Sequence, residues 1–138
     1  LAERTLGITR DLQKNSLLAE LPIFYFGGSS GAAVAIAAAS HGELGIKGIV
    51  SRGGRIDYAR DYLGKITCPI LLIVGGKDRE VLKINEVCFH SISAPKSMEV
   101  IEGAGHLFEE PEMIKKVGEE TWTWMNYIIH PPQYTYLL

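Results

Sequence analysis

The chain has 138 residues, 46% of them hydrophobic, which is enough for one core and one domain. Its formal net charge is −2, and Arg52, Arg55, Arg60, Lys115 and Lys116 are dispersed among carboxylates, so nothing points to a nucleic-acid or acidic-membrane partner. The start carries no signal-peptide pattern and no apolar run reaches the roughly 18 residues of a membrane span, so a cytoplasmic location is the expectation.

Residues 1–18 read as a helix with Leu1, Ile8 and Leu12 on one stripe. Pro22-Ile-Phe-Tyr-Phe26 reads as the first strand, followed by Gly27-Gly-Ser-Ser-Gly31 and an alanine-rich helix over about 30–41 that stops near His41-Gly42. Residues 47–51 form a second strand, Gly53-Gly54 a turn and 58–63 a short helix. The continuous apolar run 69–74, bounded by proline and glycine, has the character of a buried parallel strand. Residues 80–91 then read as a helix with Val81, Ile84, Val87 and Cys88 on one stripe, and 97–101 as the fourth strand. Pro111 suits the first turn of a last helix, whose apolar face runs through Met113, Ile114, Val117, Trp124, Met125 and Ile128 until Pro131-Pro132. The tail from Gln133 has no clear pattern, and Tyr134 and Tyr136 are candidates for an oligomer contact. Strands alternating with helices give an α/β fold, about four parallel strands with helices on both faces.

A strand, a tight turn bearing serine and then a helix is the setting of a nucleophile elbow, with Ser29 at the centre of G-x-S-x-G. The other role for Ser29 is a helix N-cap, and Ser30 offers a second hydroxyl beside it. A serine needs a base and an orienting acid. Asp78 follows the third strand and His106 the fourth, so three loops carry Ser29, Asp78 and His106 to the carboxyl ends of the strands, where ligands of open α/β sheets gather. Asp78 could instead be a turn or cap residue, with Glu80 its nearest rival as acid. Glu80, Glu109 and Glu110 fit helix starts better, and His41, His90 and His130 are the weaker histidines. Arg52 and Arg55 either steer an anionic substrate or pair with Asp57 and Asp61, and Trp122, Trp124 and Tyr127 are read as core and interface. Cys68 and Cys88 show no metal or redox spacing and are read as small buried hydrophobes of a reducing compartment.

Phe26-Gly-Gly-Ser-Ser-Gly-Ala32, Leu71-Leu-Ile-Val-Gly-Gly-Lys-Asp78 and Gly103-Ala-Gly-His-Leu-Phe-Glu-Glu-Pro111, with Ser51-Arg-Gly-Gly-Arg55, resemble the C-terminal half of an α/β-hydrolase, nearest its dienelactone-hydrolase-like branch. The order Ser, Asp, His is that superfamily's order. The resemblance implies a serine hydrolase of small-molecule esters that needs no metal or organic cofactor, with Ser29 as nucleophile, His106 as base, Asp78 as orienting acid and the Ser30 backbone N–H as an oxyanion donor. Relatives with dienelactone hydrolase activity proper carry cysteine where Ser29 stands. Relatives also carry several strands before the elbow, which supply a second oxyanion donor; this chain has room there for one helix. It is therefore expected to be a fragment, or a reduced hydrolase that forms a homo-oligomer over the open strand edge at 22–26. A non-catalytic assembly module is the competing function, and an acyltransferase or perhydrolase would use the same three residues.

Overall fold

A computed structural model describes residues 1–42 and 44–133. One sheet holds four parallel strands in the order β1 (Phe24–Gly28), β2 (Gly48–Arg52), β3 (Ile70–Gly75) and β4 (Lys96–Ile101). Between them lie α2 (Ser30–Ala39), a 3-10 helix (Ile56–Tyr62) and α3 (Arg79–Phe89), with α1 (Ala2–Lys14) before and α4 (Pro111–Ile129) after. Each strand is laid beside the previous one in the same direction, so right-handed crossovers put every connection on one face. That face carries the larger core, where Tyr25, Ile49, Ile70 and Leu72 meet Leu6 of α1, Ala32, Ala35 and Ile36 of α2, Ile56 of the 3-10 helix and Cys88 of α3. The small side chains of α2 bring it close to the strands. Among the described residues the opposite face is covered by α4 and the loop that precedes it, in a smaller core of Val50, Leu71, Ile73, Ile101, Phe108 and Val117.

All six residues of β3 are buried, as its unbroken apolar run demands. The expected fold class and the edge position of β1 both stand. Several boundaries differ. The first strand continues through Gly27 and Gly28, so the turn begins at Ser29, and β2 extends to Arg52. The first helix stops at Lys14, because the Asn15 side chain accepts the Leu17 N–H (2.9 Å) and turns the chain.

Two stripes are also corrected. In α1 the buried residues are Leu6 and Thr9, while Leu1, Ile8 and Leu12 are exposed. The polar Thr9 is buried because its hydroxyl meets the Tyr25 hydroxyl at 2.7 Å. In α3, Val87 is exposed and Asn85 takes the inner position, donating to the carbonyls of Gly54 (2.9 Å) and Val81 (2.8 Å). Trp124 packs edge-on to Phe24, but Ile114, Trp122 and Tyr127 are exposed, because α4 buries only a narrow stripe around Val117. Tyr134 and Tyr136 lie outside the described residues.

Candidate active site

β1 delivers Ser29 at its carboxyl end with φ 50° and ψ −122°, a left-handed backbone that a serine adopts only under strain. Three backbone bonds hold it there: Ser29 N–H donates to Arg52 O (3.1 Å), and the N–H groups of Arg55 (3.0 Å) and Ala32 (3.2 Å) donate to Ser29 O. Gly27 is needed for close approach, since a Cβ there would stand 2.5 Å from the Gly31 carbonyl oxygen. Ser29 occupies the N-cap position of α2, yet its hydroxyl caps no helix N–H. The Ser30 N–H is the first of the helix and has no backbone acceptor among the described residues, so it stands open beside the hydroxyl at the positive end of α2.

β3 ends at Gly75 and hands the chain to Asp78, which occupies the N-cap position of α3 without capping it. Its carboxylate meets His106 Nδ1 at 2.6 Å instead. The His106 loop lies against this turn: Lys77 N–H donates to Ala104 O (3.0 Å), and a Cβ on Gly75 would come within 2.6 Å of Gly105 O. On the other side of the ring, His106 Nε2 is 3.3 Å from Ser29 Oγ. A carboxylate only accepts, so Nδ1 carries the proton and Nε2 presents its lone pair to the serine. Asp78 is 12% exposed and His106 36%, so the carboxylate side of the contact is sheltered while the imidazole faces the open rim. The structure thus brings together all three side chains singled out in the sequence.

The remaining candidates divide. Glu80 is exposed in the first turn of α3, Glu110 occupies the N-cap position of α4, and His41, His90 and His130 are exposed at helix ends. Arg55 pairs with Asp57 through two hydrogen bonds (2.8 and 3.0 Å) and lies 4.3 Å from the Tyr58 ring, so its charge is already matched. Those bonds hold the Asp57 carboxyl below the usual carboxylate range and push the Arg55 guanidinium up. Arg52 corrects the expectation. Among the described residues it pairs with no carboxylate, and it donates to the His106 carbonyl (3.1 Å) with its guanidinium 5.6 Å from the Phe108 ring. Burial pushes both the Cys68 and the Cys88 thiols up, so neither is a ready thiolate. Among the described residues no group of three or more His, Cys, Asp or Glu side chains could hold a metal ion, and no helix is long and apolar enough to cross a membrane.

Phe108 escaped the sequence reading. It is 2% exposed and holds φ 52°, so the chain after His106 turns back and plants an aromatic ring in the α4-side core. The signal was there in Gly-His-Leu-Phe, where one of two consecutive apolar residues had to be the anchor.

A dienelactone hydrolase from Anabaena variabilis superposes with a TM-score of 0.88 at 36% identity, over 91% of this chain and 58% of that one. The chain has the fold of the α/β-hydrolases. It is similar to the dienelactone-hydrolase-like branch, in the partial manner that a likeness to a C-terminal half requires. Est1E from Butyrivibrio proteoclasticus shares this α/β-hydrolase fold with a TM-score of 0.80, over 93% of this chain and 69% of that one, at 15% identity. A Mycobacterium tuberculosis protein with the provisional name of phosphoribosyl transferase is 41% identical over 124 residues, which is 90% of this chain and 28% of that protein. The chain therefore spans little more than a quarter of its curated relative and less than two thirds of the Anabaena hydrolase. No family model matches.

Proposed function

We propose that this chain is a serine hydrolase of small-molecule carboxylic esters, working through Ser29, His106 and Asp78. The observation that supports it is the imidazole of His106 between Asp78 Oδ2 (2.6 Å) and Ser29 Oγ (3.3 Å), with the serine on a strained strand-to-helix turn. Resting distances of this length shorten when substrate binds. Ser29 Oγ attacks the ester carbonyl carbon while His106 Nε2 takes the hydroxyl proton. Asp78 holds the ring in the tautomer that makes this possible and stabilises the imidazolium. The tetrahedral oxygen faces the Ser30 N–H and the positive end of α2. The carbon–oxygen bond to the leaving alcohol breaks as His106 returns the proton. Water, deprotonated by the same imidazole, then releases the acid and restores Ser29.

The name phosphoribosyl transferase belongs to a relative of which 28% is matched, and the Ser–His–Asp contact chain supports acyl transfer. The Ser30 N–H is the oxyanion donor that this reading assigns, and loss of a single such donor costs about 10²–10³-fold in other enzymes. A fluorophosphonate probe tests the reading. Covalent labelling that Ser29→Ala abolishes and His106→Ala suppresses is the expected result. An unlabelled parent chain would favour the assembly-module alternative.

A further inference from the structure

We propose that Arg52 is a positioning residue that brackets the nucleophile and the base; the proposal rests on the serine-hydrolase reading above. Arg52 is the last residue of β2, in register with Gly28 of β1. Its two ends reach different members of the site. The backbone carbonyl accepts the Ser29 N–H (3.1 Å), and the guanidinium donates to the His106 carbonyl (3.1 Å).

The neighbouring arginine sharpens the point. Arg55 is matched by Asp57 at 2.8 Å, whereas the half-buried Arg52 has no carboxylate among the described residues. A cation withdrawn from water must have its donors used. Here one goes to the His106 carbonyl, and the planar group lies 5.6 Å from the Phe108 ring centre, a geometry that suits a guanidinium better than an ammonium.

The His106 loop is tied on both sides, but unequally. Toward Asp78 it has the Lys77–Ala104 backbone bond and the Nδ1 contact itself. Toward Ser29, among the described residues, the Arg52 bond is its only hydrogen bond besides the imidazole's own. Loss of Arg52 therefore loosens the base from the nucleophile while leaving the base on its acid. Gly28 belongs to the same device: a Cβ there would stand 2.6 Å from Arg52 Nη2, so alanine at this position pushes the guanidinium away.

The test compares the parent with Arg52→Met, Arg52→Lys, Gly28→Ala and the Gly28→Ala/Arg52→Met pair. Two readouts are used, the rate of fluorophosphonate labelling at Ser29 and crystal structures of the variants. Arg52→Met is expected to slow labelling by about 10- to 100-fold, the scale of an ångström's misplacement. It should lengthen the Ser29–His106 contact while keeping the His106–Asp78 contact. Arg52→Lys recovers part of the rate. Gly28→Ala slows the parent but adds nothing in the Arg52→Met background, as expected of two changes acting through one contact. An unlabelled parent chain would sink the hydrolase reading, and the bracket would still be judged by the Ser29–His106 distance. Unchanged spacing and rate in Arg52→Met would overturn the bracket, as would additive losses in the pair. If Arg52→Met fails to fold, Arg52→Lys and Gly28→Ala decide by the same two readouts.

Discussion

Asp78 stands at the N-cap of α3 and turns its carboxylate away from the helix to meet His106 at 2.6 Å. A side chain in the favoured capping position that leaves the helix N–H groups uncapped has its stabilising role elsewhere. Asp78→Asn therefore separates chemistry from fold. The amide donates to Nδ1 and selects the wrong tautomer, so turnover in the proposed ester hydrolysis is expected to fall about 10³–10⁴-fold. The melting temperature should change little, since no cap is lost. Steady-state kinetics and a thermal melt on one preparation check both; a lowered melting temperature with intact turnover would make Asp78 structural.

Thr9 and Tyr25 give an asymmetric stability prediction. The Thr9 hydroxyl donates its single proton to the Thr5 carbonyl (2.8 Å), so the Tyr25 hydroxyl is the donor across the 2.7 Å contact between α1 and β1. Tyr25→Phe removes a donor whose acceptor keeps another partner and should cost about 1 kcal/mol. Thr9→Val strands the Tyr25 hydroxyl in the core and should cost more, about 1–3 kcal/mol. Urea unfolding of the two variants gives the order, and equal losses would refute the donor assignment.

The site was more legible than the surfaces around it. Ser29, Asp78 and His106 could be found because each follows a strand whose apolar run marks its end, and parallel strands carry their ends to one rim. The buried faces of α1 and α3 were misread because the decisive residues are polar. Thr9 and Asn85 are buried through hydrogen bonds from β1 and from the Gly54 loop, partners that hydrophobic periodicity does not register. Arg52 was misread for a related reason: its partner is a backbone carbonyl 54 positions away, which no charge pattern reveals.

Asp57 sets a pH dependence. Its pKa is depressed by the Arg55 hydrogen bonds, so it stabilises the fold above the ordinary carboxylate pKa and loses that contribution as pH falls through its own lower value. Both partners are partly exposed, which keeps the effect small. Asp57→Asn should therefore lower the melting temperature at neutral pH, with the gap to the parent closing in acid. A gap that widened on acidification would contradict the linkage.

Among the described residues β1 has a free edge, and we propose that a second copy of the chain covers it. β1 pairs with β2 on one side, and its other side is bordered by exposed apolar residues on both faces of the sheet. Leu1 and Ile8 lie with Phe24 and Val34 around one hollow, and Phe26, Ile114 and Trp122 around another. Phe26 is 55% exposed and Trp122 71%, values out of keeping with isolated surface residues because the two share one patch. An unpaired strand between two such patches is a template for a second copy of the chain. Sedimentation at micromolar concentration should show a mass above the monomer, and Phe26→Lys with Trp122→Glu should return it to the monomer. A parent chain that sediments as a single monomeric species would exclude the second copy as the cover for this edge.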